Sequence, residues 1–356
     1  MRAILTAAAL LAVTAACATT TTQFAAASRE DVVAEELAQR ELVLSELARM
    51  QRRLDDLAFP LLRSATPLCS GKSGPSYGLW LRSLSDYQGS WTAAARTALQ
   101  LTDTVTVLGV SADSPAGRAG LQAGDRLITI AGRPAPVGRG ATSAAQKALA
   151  EMGGRPVALT VRRNDSTHTV ELTPDVVCNL GTMVIPEGDI NAYADGRNVI
   201  FPWAMMKFTN DDELRVVLSH EIAHNAMGHI EARQRNALVG GIFGALADIA
   251  LASQGVNTGG QYAADFMKAG AMAFSQDFER EADYVGLYIM ARAGVPLETG
   301  PNLWRHFAHI NPRAIAYAST HPTTAERFVR LRNTLREIEA KRREGRELMP
   351  EIRGRR

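Results

Sequence analysis

Cysteine is scarce: the 356 residues contain three, Cys17, Cys69 and Cys178. A framework of several disulfides is therefore excluded. If Cys17 belongs to a leader, Cys69 and Cys178 remain, enough for one disulfide in an oxidising compartment or for two buried thiols. A charge excess of one sign is also missing, with 39 basic against 37 acidic residues, so nucleic acid is not indicated as a partner. Long hydrophobic runs are absent too. The most apolar internal stretch, ALVGGIFGALADIALAS at 237–253, has 17 residues, short of the ~20 that a spanning helix needs. With 356 residues there is room for two domains and a leader.

The leader is legible at the start. Arg2 precedes the short apolar run AILTAAALLAVTAAC, residues 3–17, which has the form of a secretory signal. Its end, Thr14-Ala15-Ala16-Cys17, resembles a bacterial lipoprotein cleavage site and would make Cys17 an acylated N-terminus; a non-lipidated signal peptide is the alternative. Residues 18–28, ATTTTQFAAAS, read as a tether. The expectation is a lipid-anchored protein on the periplasmic side of a bacterial cell envelope. The residue after Cys17 is Ala18, not an acidic one, which favours the outer over the inner membrane.

The densest chemistry lies in LSHEIAHNAMGH, residues 218–229. His220 and His224 are four apart, so on a helix both imidazoles aim at one point, and Glu221 can reach a water held there. Asn210 followed by Asp211, Asp212 and Glu213 predicts an N-cap and an acidic first turn, and no Gly or Pro interrupts the stretch before Gly228. By chance such a His-Glu-x-x-His turns up in about one chain of this length in a hundred. A catalytic zinc takes three protein ligands and keeps one position open. One class uses a histidine six residues after the second; that position is Ile230, with His229 one residue off, and the glycine that class needs is replaced by Met227, so it is excluded. The other class brings a glutamate from a separate helix. In FEREADYVGLYIMARAG, residues 278–294, Glu279 and Asp283 share a helix face while Glu281 points elsewhere. Glu279 is read as the third ligand and Asp283 as the group that orients a ligand histidine.

His-Glu-x-x-His followed by Glu-x-x-x-Asp resembles the zinc metallopeptidases related to HtpX, BepA and the type I CaaX prenyl proteases. STHPTTAER, residues 319–327, matches that family's Ser-x-His-Pro and arginine pattern at His321, Pro322 and Arg327, and INAYADGRNVIFPWAMM, residues 190–206, matches more loosely. The resemblance covers about 181–340. It implies one Zn2+ per chain, a mainly helical peptidase, and a small sheet whose edge strand holds extended substrate. It also implies that His321 and Arg327 support the oxyanion, or that His321 closes the open metal position as an inhibitor. His306 and His309 have no metal-like context.

The middle of the chain has a second signature. In SADSPAGRAGLQAGDRLITIAGRPA, residues 111–135, Ser114 and Pro115 open a short helix, Gly120 ends it, and a turn leads into a strand. RPVALTVRR and THTVELTP form a further strand pair around the turn NDS. This resembles a PDZ domain of the bacterial protease type over about 70–176. The loop that would hold a peptide carboxylate is not placed: SYGLWL, residues 76–81, is the candidate, separated from Val105 by the helical-looking SWTAAARTALQL.

The resulting fold class is α+β: a mainly helical zincin-type metallopeptidase with a small β-sheet, plus a β-rich PDZ-like domain. The expected segments are the leader 1–17, a tether and amphipathic helix 18–62, the PDZ-like domain 63–180, the peptidase domain 181–340 and a basic tail 341–356, whose seven Lys or Arg against three Glu suggest a solvated end. The amphipathic helix, residues 29–58, is expected to pack on the body rather than form a coiled coil, and 237–253 to form a core or membrane-touching helix pair over the active site. The expected function is endopeptidase action on misfolded or misassembled envelope proteins, with the PDZ-like module capturing or gating substrate. The alternative is an envelope chaperone or assembly factor with little hydrolysis. Protein or peptide substrates are the expected partners, with the membrane reached through the anchor, and an oligomer is left open.

Overall fold

Ser28 starts the first helix, α1 (Arg29–Ser64), by accepting a hydrogen bond from the Asp31 N–H at 3.1 Å, and Glu30 and Asp31 place negative charge at its positive end. The computed structural model describes residue 22 and residues 25–352, apart from 70, 255, 257, 273–274 and 311–324. The α1 helix runs six residues past the expected end at 58, straight through Pro60. A proline inside a helix costs about 3 kcal/mol. Burial of Leu57, Phe59, Leu61 and Leu62 stabilises by roughly 1.5–3 kcal/mol each, so tertiary packing wins.

This helix touches both halves of the molecule. Its Arg53 donates to Asp211 Oδ1 at 2.6 Å and to the Met206 and Thr209 carbonyls at 2.7 Å each, on the peptidase side. On the other side the Asp55 carbonyl accepts from Ser111 Oγ at 2.9 Å, and Arg63 pairs with Asp113 and Asp175.

After α1 come β1 (Ser73–Ser76), β2 (Leu79–Arg82), α2 (Ser90–Ala98), β3 (Thr106–Val110), α3 (Pro115–Arg118), β4 (Arg126–Ile130), β5 (Arg133–Pro134), α4 (Ala141–Ala150), β6 (Val157–Arg163), β7 (Ser166–Leu172) and β8 (Asp175–Cys178). A sheet of order β2-β3-β4-β6-β7, with β5 on β4, closes over a core that includes Leu81, Val107, Leu127, Leu159 and Leu172. Ser114 caps α3 as expected, accepting from the Gly117 N–H at 3.2 Å. The SYGLWL stretch is resolved by the pairing: β2 lies antiparallel to β3 at the sheet edge, and α2 is an insertion between them. At the neck, β1 pairs with β8 and Cys69 is disulfide-bonded to Cys178, 109 residues apart in sequence with Cα atoms 5.8 Å apart. Such a bond closes the intervening chain into one loop and stabilises by about 2–5 kcal/mol.

The second half holds β9 (Gly181–Ile185), β10 (Tyr193–Ala194), β11 (Asn198–Pro202), α5 (Trp203–Phe208), α6 (Asp211–Ala226), α7 (His229–Ala252), α8 (Gln261–Met272), α9 (Ser275–Ala293), α10 (Thr299–Ile310) and α11 (Ala325–Arg343). Its small sheet has the order β10-β11-β9. The outer edge of β9 is covered by an α1 side chain: Gln51 donates Nε2 to the Thr182 carbonyl at 3.1 Å and accepts from the Val184 N–H at 2.9 Å. A side-chain amide thus does there what another strand would do, and β10 forms the opposite edge.

Two expectations change. The apolar stretch at 237–253 belongs to a longer helix, the 24-residue α7, and it is not core. Among the described residues α7 is the one helix long and apolar enough to cross a membrane, and its buried residues are few: His229, Gly241 and Gly244. It pairs with α8 through small residues: a Cβ at Gly240 would stand 2.1 Å from the Phe266 carbonyl oxygen, and one at Gly244 would stand 2.2 Å from that of Tyr262. The start of the expected basic tail is also packed rather than solvated. Lys341 is buried, donating to the Met349 carbonyl at 2.6 Å and pairing with Glu351 at 2.8 Å, while Leu348, Met349 and Ile352 pack on the main core.

Candidate metal centre

Helix α6 begins with a reciprocal cap. Asn210 Oδ1 accepts from the Glu213 N–H at 3.0 Å, and Glu213 Oε2 accepts from the Asn210 N–H at 3.1 Å. Glu213 also holds His306 at 2.9 Å, which gives that histidine a structural partner. From this start Leu214, Val217, Leu218, Ile222 and Ala223 are buried, and so are His220, Glu221 and His224. Helix α9 lies against α6 closely enough that a Cβ at Gly286 would stand 3.2 Å from the His220 backbone nitrogen. Gly286 therefore sets the approach of the two helices, a role that the sequence pattern did not suggest.

The structure brings His220, His224 and Glu279 together. His220 Nε2 lies 3.3 Å from Glu279 Oε2, His224 Nε2 lies 3.3 Å from Glu279 Oε1, and the two Nε2 atoms are 3.1 Å apart. The ligand atoms of these three residues all lie within 4.8 Å of one another. Two imidazole nitrogens and one carboxylate oxygen in that space are a donor set that suits zinc. Burial acts to depress the His220 pKa, but hydrogen bonds to Asp283 and Glu279 outweigh it and push it up to about 9. Burial dominates at His224, whose pKa is lowered.

Around this cluster the carboxylates and cations are paired. Asp283 Oδ1 lies 2.9 Å from His220 Nδ1 and accepts from Arg327 Nη2 at 2.6 Å. Burial acts to raise the Asp283 pKa, but the Arg327 charge and the His220 contact outweigh it, so the carboxyl is held below its ordinary range. The Arg327 guanidinium is buried over the Trp304 ring, and its Nη1 is 3.8 Å from Glu279 Oε2. Helix α11, which carries Arg327, is fastened to α9 by Tyr284 and Tyr288, whose hydroxyls donate to Glu337 Oε1 at 2.7 and 2.6 Å. On the other side, His224 Nδ1 lies 2.9 Å from His229 Nδ1, and His229 Nε2 lies 2.9 Å from Glu281 Oε2. Neither His229 nor Glu281 was singled out for the site from sequence. Asn225 ties α6 to the small sheet, accepting from the Gly196 N–H at 2.7 Å and donating to the Asn198 carbonyl at 3.0 Å. His321 and Cys17 lie outside the described residues.

Fold and site together define a helical metallopeptidase-type unit joined to a PDZ-type sheet. Residues 179–335 match the model of Peptidase family M48, and residues 106–163 match that of the PDZ domain. The second half of the chain is thus similar to the M48 metallopeptidases, and a stretch similar to the PDZ domain lies ahead of it. Among curated proteins it is 28% identical over 165 residues to the mitochondrial metalloendopeptidase OMA1 of Schizosaccharomyces pombe, covering 45% of this chain and 48% of that protein. It is 30% identical over 164 residues to the beta-barrel assembly-enhancing protease of Escherichia coli O157:H7, covering 42% of this chain and 33% of that one. The chain thus matches less than half the length of these relatives. Among solved structures, the HtrA3 PDZ domain bound to a phage-derived ligand is similar at a TM-score of 0.23 and 24% identity, covering 30% of this chain and 89% of that one.

Proposed function

We propose that the protein is a zinc-dependent endopeptidase of the bacterial cell envelope that hydrolyses peptide bonds in misfolded or misassembled envelope proteins. The observation that carries this reading is the convergence of His220, His224 and Glu279 on one buried point, with Glu221 on the same helix. Bound zinc would supply Lewis acidity, polarising the scissile carbonyl and making its water a stronger acid. Glu221 takes the proton from the attacking water and passes it to the leaving amine. Asp283 fixes the His220 ring through Nδ1. Arg327 neutralises Asp283 and Glu279, and with His321 it is assigned to the oxyanion side of the reaction. A role for His321 as a displaceable inhibitor is separated from that by substitution.

Substrate is taken as an extended chain. In the PDZ domain, Tyr77-Gly78-Leu79 leads into β2, an edge strand beside α4, so a peptide end adds to β2 with its carboxylate at that turn. Cys17 carries the lipid anchor, and the outer membrane is favoured over the inner. The proposed segments are 18–62 for tether and helix, 63–180 for the PDZ part, and 181–340 for the peptidase.

A second reading, an envelope chaperone with little hydrolysis, draws support from the exposed apolar face of α7, which could hold unfolded chains. The deciding experiment uses the soluble form lacking residues 1–17, measuring zinc content and casein cleavage for wild type, Glu221→Gln and His321→Ala. One zinc per chain with cleavage lost in Glu221→Gln supports the peptidase. A rise in His321→Ala marks a lock, and a fall marks a part of the catalytic apparatus. Zinc without cleavage in any variant moves the chaperone reading to first place, and wild type without zinc overturns the mechanism.

A further inference from the structure

The two ligand histidines are backed differently. His220 turns Nδ1 directly to a carboxylate, that of Asp283. His224 turns Nδ1 to another histidine, His229, which in turn reaches Glu281. We infer that His229 and Glu281 form an extended relay that positions His224 as a metal ligand, with His229 acting on the site through His224 rather than touching metal or substrate. This rests on the reading of His220, His224 and Glu279 as the metal centre.

Hydrogen-bond bookkeeping dictates the direction. To bind a metal through Nε2, the atom that faces Glu279, His224 must keep its lone pair there and carry its hydrogen on Nδ1. That N–H needs an acceptor, and the atom 2.9 Å away is His229 Nδ1. Acceptance leaves the His229 hydrogen on Nε2, which donates across 2.9 Å to Glu281 Oε2. One set of tautomers satisfies every bond and ends on a carboxylate. A ligand imidazole backed in this way is fixed in tautomer and ring angle and is a stronger base toward the metal.

The local fold supplies the geometry. On an unbroken helix, a residue five beyond His224 would lie on a different face. Gly228, at φ 72°, ends α6 and starts α7, which folds His229 back against His224. His229 is buried and stacks on Phe278, with ring centroids 4.7 Å apart and planes 18° apart. Glu281 stands two residues from both Glu279 and Asp283, so α9 serves both histidines from two faces: Asp283 backs His220 directly and Glu281 backs His224 through His229.

The test measures zinc release into a chelator, zinc affinity by competition, and melting of the metal-free form, on the chain lacking residues 1–17. The variants are His229→Phe, His229→Asn, Glu281→Gln and the double His229→Phe/Glu281→Gln. His229→Phe keeps the stack on Phe278 but removes both hydrogen bonds, and is expected to weaken zinc binding about 10–100-fold with little change in metal-free melting. Glu281→Gln, whose carboxylate side chain is 44% exposed, is expected at the low end, about tenfold. His229→Asn, which keeps an acceptor for His224, recovers part of the loss. Because the two groups act in series, the double variant is no worse than His229→Phe. Zinc retention within about twofold of wild type in both single variants, or fully additive losses, overturns the relay. If His229→Phe does not fold, Glu281→Gln decides by the same criterion. Wild type that binds no zinc overturns the metal centre itself, an outcome distinct from failure of the relay.

Discussion

Helices α6 and α7 are neighbours in the chain and invert each other. The former buries His220, Glu221, His224 and Asn225. The latter presents Leu238, Val239, Ile242, Phe243, Leu246 and Ile249 at 52 to 66% exposure. Polar groups inside are tolerable because each has a partner: the histidines have carboxylates, Asp283 has Arg327, and Asn225 has the β10–β11 turn. Apolar groups outside have no counterpart among the described residues. A row of this size, without a charge between Asn236 and Asp248, marks a face made to meet something apolar. Among the described residues the polar helix is completed by the rest of the chain and the apolar one is not.

The largest expected effect attacks the polar side. Glu221→Gln should lower casein cleavage about 10²–10⁴-fold while zinc content stays at wild-type level. If cleavage persists, the buried glutamate is only a structural group and the contrast loses its functional half.

Next in size is Arg327→Met, which leaves Asp283 buried without its cation. Loss of about 3–5 kcal/mol is expected in urea unfolding of the metal-free chain. An unchanged midpoint would mean that the buried charges do not depend on one another.

Asp55 sharpens the rule. It too is buried, yet its contacts are hydrogen bonds from Gln51 and Thr182 rather than a close cation. Burial raises its pKa from 3.8 to about 6, against the lowering effect of those bonds. The folded state therefore binds this proton more tightly than the unfolded one, so the contribution is most favourable below 3.8 and is lost as pH rises through about 6. Asp55→Asn should remove that dependence. At pH 7.5 it should be more stable than wild type by roughly 1–3 kcal/mol, with the gain shrinking towards pH 4, as read by thermal melting across pH.

The smallest effect belongs to the apolar side. Phe243→Glu should change folding stability by no more than about 0.5 kcal/mol, because Phe243 is 61% exposed among the described residues. In a Cys17→Ala background the same change should reduce sedimentation with lipid vesicles if α7 meets a membrane. Release of the Cys17→Ala protein by carbonate wash would exclude a true span, and strong destabilisation by Phe243→Glu would show that the face is covered after all.

Local rules read much of this molecule. The cap at Asn210, the unbroken helix carrying His220 and His224, the Ser114–Pro115 helix start and the αL turn residue Asn164 between β6 and β7 all depend on a few adjacent residues. Where the reading ran short, distant residues decided. The end of α1 was misplaced because burial beyond Pro60 overrides the proline penalty. The β2 edge was left unassigned because α2 intervenes between two strands that pair. The start of the tail read as solvated because its charges were counted without the Lys341 contacts to Glu337, Glu351 and the Met349 carbonyl.

By itself the sequence determined which residue types stand one turn apart and therefore which side chains can share a face: His220 with His224, and Glu279 with Asp283. Helix periodicity requires no knowledge of the rest of the chain. Only the tertiary structure decided that these two faces meet, that Gly286 lets them close, and that His229 folds back on His224 past Gly228. Those outcomes depend on how helices approach one another and on a single left-handed residue between them, and packing of the whole chain settles both.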